Sequence, residues 1–296
     1  MTGLNTHFLI GTLVRDPELR YTPSGMAVFE FTLAGEREVL GKDGHPHAIP
    51  FYARSFVMGK YAETLAERQY KQGQAFMMDG SLDYSQWQTP EGGKRSMVRT
   101  KLTGLLRELG YQYEAVSDTG GGLRMKGGCS KIRLVGNVVR DPELRYTPAG
   151  DAVMDLGIAV NETWKDAQGQ KQEKTHWIEA TLWRELAERH QELRKGDPVL
   201  LEGALINEAW TDKDGNRRSS TKVEVTSLEL LARLPQQAAA PSAKAAPAPA
   251  RQAAPARSSA PRPAAARGQP AGQSTKAAAG GMSLDDFPPE EEDLPF

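Results

Sequence analysis

The decapeptide VRDPELRYTP runs from Val14 to Pro23 and again, unchanged, from Val139 to Pro148. Ten consecutive identities at an offset of 125, in a chain of 296 residues, mark a duplication. The match extends in both directions. Gly11 faces Gly136, Gly25 faces Gly150, Ala27-Val28 face Ala152-Val153, and Ala34 faces Ala159. Further on the offset becomes 123, so that Gly73 faces Gly196, Gly80 faces Gly203 and Trp87 faces Trp210. The first copy therefore carries two extra residues between Met58 and Gly73. A period this long exceeds the ~20–50 residues of solenoid repeats, so the duplicated unit is a whole domain. The boundary falls in Ser117-Asp118-Thr119-Gly120-Gly121-Gly122, where glycines add backbone freedom and no side chains. No Lys-Ser/Thr pair follows that run, as a phosphate-cradling loop would need. The expected division is a first domain over 1–116, a Gly-rich linker over 117–128 and a second domain over 129–234. An Ala/Pro-rich linker over 235–282 and an acidic tip over 283–296 follow.

Each copy reads as strands around one short helix. In the second, Ile132, Leu134 and Val138 alternate with polar neighbours, at strand period. Tyr146–Asp151 has turn chemistry, with Pro148 presetting φ and Gly150 free to take positive φ. Strands are expected near 152–161 and 175–183. Arg184–Arg194 has helical spacing, with Leu186, His190 and Leu193 on one face and the Glu185/Arg189 pair on the other. A strand over 199–206, a hairpin tip at Asp212–Gly215 and a strand over 220–231 complete the copy. The first copy follows the same plan, with its helix near Lys60–Tyr70 and a tip at Pro90–Gly93. Three strands, a helix and two strands in about 110 residues fit an all-β five-stranded Greek-key barrel, the OB-fold, twice in tandem. A β-sandwich is the competing architecture.

Charge is unevenly placed. The net charge of −1 sums 37 bases and 38 acids. Six acids and no base lie in 283–296, six bases and no acid in 235–282, leaving 31 bases and 32 acids in 1–234. One cysteine, Cys129, excludes an intrachain disulfide and a cysteine-based zinc cluster. No apolar run approaches the ~20 residues of a membrane span, and the N-terminus lacks signal-peptide character. A cytoplasmic protein without membrane contact is expected. The five histidines form no triad or ligand pattern, and no paired-carboxylate motif stands out, so neither catalysis nor a cofactor or metal is expected.

The second copy holds four of the five tryptophans: Trp164, Trp177, Trp183 and Trp210. Trp164 and Trp210 flank hairpin tips. Trp177 and Trp183 are six apart in a strand, hence on one face. Lys165, Lys174, Arg184 and Lys213 stand close to them in sequence. Exposed rings beside cations are what unpaired bases require, since every base offers a π-face and every nucleotide a phosphate.

Taken together, several motifs resemble bacterial single-stranded DNA-binding proteins, in the variety with two OB-folds per chain. They are Leu134-Val135-Gly136-Asn137, Asp141–Tyr146, Asn161–Trp164, Thr175-His176-Trp177, Leu182-Trp183, Arg194-Lys195-Gly196, Val199–Gly203 and Trp210-Thr211-Asp212. The C-terminal Asp285-Asp286-Phe287 and Asp293-Leu294-Pro295-Phe296 match as well. The resemblance implies base stacking on Trp164, Trp177, Trp183 and Trp210. It also implies a homodimer presenting four OB-folds, and a tip (Asp285, Asp286, Phe287, Asp293, Leu294, Pro295, Phe296) that recruits replication, recombination and repair proteins at the nucleoid. The first strands of the two copies, around Phe8 and Ile132–Leu134, are expected to contribute to the interface between chains.

The first copy departs from the pattern. Trp164 corresponds to Val39, Trp177 to Tyr52 with Phe51 beside it, and Trp183 to Met58; only Trp87 keeps its tryptophan. Stacking there is expected on Trp87, Tyr52 and Phe51, with phosphates followed by Lys60, Arg54, Arg37 and Lys94. Fewer bases should stack on the first copy than on the second. Lys60 corresponds to Glu185, so the copies have specialised differently.

Residues 235–282 hold 19 Ala and 8 Pro in 48 positions with no aromatic. Such a composition cannot bury enough apolar surface to offset ordering entropy, and disorder is expected. A coil of this length spans roughly 40 Å, and a fully extended polyproline-type chain about 150 Å. Beyond it, a terminal Phe ring carrying its own carboxylate offers a protein pocket an apolar anchor and an anion. Two other classes stay open on residue chemistry: an enzyme built on an OB-fold, and an RNA-binding OB protein such as an RNA chaperone, which rings and charge alone do not separate from a DNA binder.

Overall fold

The computed structural model describes residues 3–231, apart from 42–43, 89–93, 111, 118–120, 166–167 and 212–216. The first copy comprises β1 (Asn5–Leu13), β2 (Glu18–Tyr21), β3 (Ala27–Leu40), β4 (Pro46–Met58), α1 (Lys60–Ala66), β5 (Ala75–Gln88), β6 (Lys94–Leu102) and β7 (Arg107–Glu108). A hairpin, β8 (Ala115–Ser117) and β9 (Leu123–Met125), leads to the second copy. This holds β10 (Cys129–Val138), β11 (Leu144–Tyr146), β12 (Ala152–Lys165), β13 (Lys171–Trp183), α2 (Glu185–Arg189), β14 (Pro198–Thr211) and β15 (Arg217–Leu230).

Each copy closes on itself. In the first, β1, β3, β4, β6 and β5 pair in a ring that returns to β1; in the second, β10, β12, β13, β15 and β14 return to β10. Both rings contain one parallel contact, β4 with β6 and β13 with β15. Two five-stranded barrels with one short helix between the third and fourth barrel strands are two OB-folds. The sandwich is excluded by that closure.

The duplicated glycines mark where strands cross most closely. A Cβ on Gly11 or Gly136 would lie 2.7 or 2.6 Å from the carbonyl oxygen of Ala34 or Ala159. On Gly80 or Gly203 it would meet Lys101 O at 2.7 Å or Glu224 O at 2.3 Å. No side chain fits there. The inward positions are apolar, with Leu9, Leu33 and Phe76 in one barrel and Ile132, Met154 and Leu201 in the other fully buried. Each such side chain contributes about 1.5–3 kcal/mol.

The barrels share a sheet. β1 pairs antiparallel with β10, from Asn5 opposite Leu134 to Ile10 opposite Cys129. His7 lies opposite Ile132, its own equivalent at the offset of 125, so a pseudo-twofold passes through that pair. The first strands, expected at an interface between chains, are thus paired with each other inside one chain.

Both helices are shorter than their spacing suggests. α2 stops at Arg189, because Asp197 accepts the Arg194 N–H at 2.8 Å and Gly196 turns left-handed at φ 89°. α1 stops at Ala66, and Gln69 at φ 52° turns Tyr70 edge-on to Phe76. The segment read as a Gly-rich linker contains β9, which pairs with β3 at Gly35 opposite Met125. Arg124 pairs with Glu36 at 2.6 Å and Lys126 with Glu114 at 2.9 Å, so this connection is built into the sheet.

Candidate nucleic-acid interface

Along β13 every second residue leaves the barrel. His176, Ile178, Ala180 and Leu182 are buried, while Trp177, Glu179 and Trp183 face out. Trp164, near the end of β12 opposite Gln172, is exposed as well. The three rings retain between 38 and 47 % of their surface, far above a core aromatic. Trp87 is half-buried on β5. Trp210 lies on the outer part of β14; its side chain is outside the described residues.

The first copy presents no matching face. Phe51 is 0 % and Tyr52 6 % exposed, which corrects the expectation that they stack. Phe51 belongs to the barrel core. Tyr52 points outward as Trp177 does, but packs with Val14 and Ala34. Its backbone is held from the other barrel: Tyr52 N–H donates to Asn207 Oδ1 at 2.8 Å, and Asn207 Nδ2 donates back to Tyr52 O at 3.1 Å. A ring covered on its outer side has no face for a base. Val39 and Met58 are half-buried and carry no ring.

The expected cations divide. Lys165 and Lys60 are exposed. Arg184 reaches Asp151 at 3.2 Å on the surface. Arg54 is half-buried on β4. Two are engaged between the barrels: Arg37 pairs with Glu224 at 2.9 Å, and Lys174 with Asp83 at 2.5 Å. Arg37 is mostly covered by that pairing, which corrects its reading as a phosphate contact, whereas Lys174 keeps 39 % of its side-chain surface. Lys94 begins β6, its side chain outside the described residues, as are Lys213 and the whole tip from Asp285 to Phe296.

One cation escaped sequence reasoning. Lys222 on β15 pairs with Glu208 at 2.8 Å. Burial opposes its charge, but the Glu208 bond and the carboxylates of Asp155 and Glu179 outweigh it and hold the ammonium above the ordinary lysine range. Glu179 lies between Trp177 and Trp183, so Lys222 serves that face; as the one base between Ser220 and Leu230 it could have been singled out. Asp155, on the same face, accepts Thr181 Oγ1–H at 2.8 Å and pairs with Arg145. The carboxylates near the rings are thereby neutralised in place, leaving a face that attracts by stacking more than by net charge.

The strand bearing Trp177 is anchored to the first barrel. His176 Nδ1 accepts the Tyr84 N–H at 3.1 Å, and its Nε2–H donates to Glu162 at 3.0 Å. That bond, with the charges of Lys101 and Lys174, holds the Glu162 carboxyl below its ordinary range. Among the described residues no three His, Cys, Asp or Glu side chains gather as a metal site, and no helix is long and apolar enough to cross a membrane.

The model of the single-strand binding protein family matches residues 4–103 and 129–231, one match on each barrel. The chain is 53 % identical to a single-stranded DNA-binding protein of Deinococcus radiodurans over 299 aligned positions, covering 99 % of both. A single-stranded DNA-binding protein of Thermus thermophilus is 38 % identical, also over 99 % of each chain. The crystal structure of the wild-type single-stranded DNA binding protein from Thermus aquaticus superposes with a TM-score of 0.62 at 36 % identity, covering 80 % of this chain and 98 % of that one.

Proposed function

This chain belongs to the single-strand binding protein family, and on that premise we propose that it binds single-stranded DNA without regard to sequence, mainly on its second barrel. The carrying observation is the outward row of Trp177 and Trp183 on β13 with Trp164 on β12, all open to solvent. Each stacked base contributes about 1–3 kcal/mol. Lys165 and Arg184, which directly follow Trp164 and Trp183 in the chain, supply the phosphate contacts beside those rings. By their place in the sequence Trp210 and Lys213 join this set on the second barrel, and Trp87 with Lys60, Arg54 and Lys94 forms a lesser set on the first.

Two chains pair so that four barrels act together. The tip (Asp285, Asp286, Phe287, Asp293, Leu294, Pro295, Phe296) docks its Phe and terminal carboxylate in replication, recombination and repair proteins, and the protein works in the cytoplasm at the nucleoid without catalysing a reaction. Family membership and the residues of the tip support this reading.

The test is a titration of the intact protein with oligothymidylate, read by tryptophan fluorescence. Strong quenching is expected, with Trp177→Ala weakening affinity about 5- to 100-fold. Tyr52→Ala should instead lower the melting temperature and leave affinity nearly unchanged. An unquenched titration, or preference for a matched RNA oligomer, would overturn the proposal.

A further inference from the structure

The pseudo-twofold through His7 and Ile132 creates two junctions between the barrels. In one, the β12–β13 pair of the second barrel meets the β5–β6 pair of the first. In the other, the β3–β4 pair of the first meets the β14–β15 pair of the second. Residues correspond across the two at the offsets of 125 and 123, and the strand registers keep those offsets: Gly80 lies opposite Leu102 as Gly203 lies opposite Val225. An unchanged duplication would make the junctions identical. Here their charges are exchanged. Arg37 of β3 pairs with Glu224 of β15 at 2.9 Å. The corresponding residues of the other junction are Glu162 and Lys101, an acid and a base in swapped places and within electrostatic reach of each other. Beside them Lys174 reaches Asp83 at 2.5 Å, where the corresponding positions hold Ile49 and Ile206, both half-buried. Arg37 and Asp83 keep only 15 and 10 % of their side-chain surface, so their charges depend on these partners and not on water.

Which copies can pair follows from those residues. Two first copies joined by the same twofold, His7 on His7, would set Arg37 against Lys101 and leave the Asp83 carboxylate facing Ile49. Tyr84 would stand in place of its counterpart Asn207, and the buried Tyr52 N–H would lose its acceptor. Two second copies, joined Ile132 on Ile132, would set Glu162 against Glu224 and leave Lys174 facing Ile206. The symmetry of a like pair makes each fault occur twice. Like charges in a partly desolvated junction repel, and a buried charge without its partner is not compensated for lost hydration.

We propose that the two junctions form a pairing code that admits a first copy on a second and rejects like copies. Strand edges such as β1 and β10 can accept any strand of suitable register, and a chain with two of them could link to other chains through β1–β1 and β10–β10 pairs. The charges exclude those pairs, since specificity is set by what the wrong arrangement costs as much as by what the right one gains. The surface that β1 and its flanking strands present is thus made for a second copy.

The test uses the full chain with the code exchanged: Asp83→Ile, Lys101→Glu, Ile206→Asp and Glu224→Lys together, which leaves the net charge unchanged and makes each copy complementary to its own kind. Cysteine reporters read the pairing. Cys129 lies opposite Ile10, so Ile10→Cys reports mixed pairing by a thiol crosslink within one chain. A pair of second copies about Ile132 would put Cys129 of one chain opposite position 135 of another, so Val135→Cys reports it by joining two chains. Opposed Cβ atoms about 4.5–5.5 Å apart suit dibromobimane. With the native code, Ile10→Cys should crosslink within the chain and Val135→Cys should not join chains; with the exchanged code both results should reverse. An exchanged protein that keeps the intrachain crosslink overturns the proposal. If the exchanged protein does not fold, Arg37→Glu and Glu224→Arg decide, singly and together. Each single variant should lower the melting temperature by about 5–10 °C, and the double should regain most of it. Singles that melt as wild type, or a double that regains nothing, overturn the code.

Discussion

Arg184 holds a backbone conformation that glycine holds in the other copy: its φ is 54°, against 77° at the equivalent Gly59. For a side-chain-bearing residue that region costs about 1–3 kcal/mol. The surface pair with Asp151 returns little, about 0–1 kcal/mol. The strain is retained directly after Trp183, where a guanidinium meets a DNA phosphate in the proposed track. Arg184→Gly should therefore leave the melting temperature equal or higher, measured by calorimetry, while weakening oligothymidylate binding; a loss of stability with unchanged binding would refute this. Residue by residue, the shared face of Trp177 and Trp183 on β13 was readable from alternation, and its exposure from the charged residues beside both rings. The fate of Tyr52 was not, because alternation says which side a ring takes and not whether Val14, Ala34 and the backbone bonds of Asn207 close over that side.

At the scale of elements, the pairing of β1 with β10 encloses His7 completely. Its Nδ1 meets Thr100 Oγ1 at 2.9 Å and its Nε2 meets Ser130 Oγ at 3.0 Å. Ser130 Oγ also accepts the Leu205 N–H at 3.1 Å, so both ring nitrogens sit in a closed set of hydrogen bonds away from water. Burial lowers the His7 pKa from 6.5 to about 3. The unfolded chain takes the proton first. The stability this neutral ring supports is thus complete above pH 6.5 and falls as pH drops from 6.5 toward 3, by about 1.4 kcal/mol per pH unit. Urea unfolding of wild type and His7→Gln at pH 6 and pH 4 should show the variant losing less stability by that slope; equal losses would refute the assignment. Sequence periodicity located both strands but not their pairing, since an alternating strand is compatible with any edge of suitable register. Helix lengths were overestimated for a similar reason: the Arg194 N–H finds Asp197 in a turn instead of a carbonyl in a longer α2.

For the whole molecule, a net charge of −1 is consistent with a nucleic-acid binder once charges are located. In the barrels, Glu224, Asp83, Asp155 and Glu208 are each matched by a base, which leaves stacking as the larger attraction. The six tail acids have no base among them in 283–296 and can compete with DNA for cations over about a Debye length, near 10 Å at 0.1 M salt. Converting Asp285, Asp286, Glu290, Glu291, Glu292 and Asp293 to their amides should tighten DNA binding at low salt and change it little at high salt. Parallel titrations across salt check this, and an equal gain at all salt concentrations would exclude it.

The sequence by itself determined the duplication, the barrel architecture of each copy, the shared face of Trp177 and Trp183 in the second and the character of the acidic tip. All of these follow from identity, period and residue chemistry along one segment. Only the tertiary structure decided that the two copies join through β1 and β10 about His7 and Ile132, and that Phe51 and Tyr52 are covered. It alone decided that Arg37 and Lys174 are matched by Glu224 and Asp83. Burial and ion pairing depend on residues distant in sequence meeting in space, such as Lys174 on Asp83 across the two barrels, and no local pattern encodes which distant residue arrives.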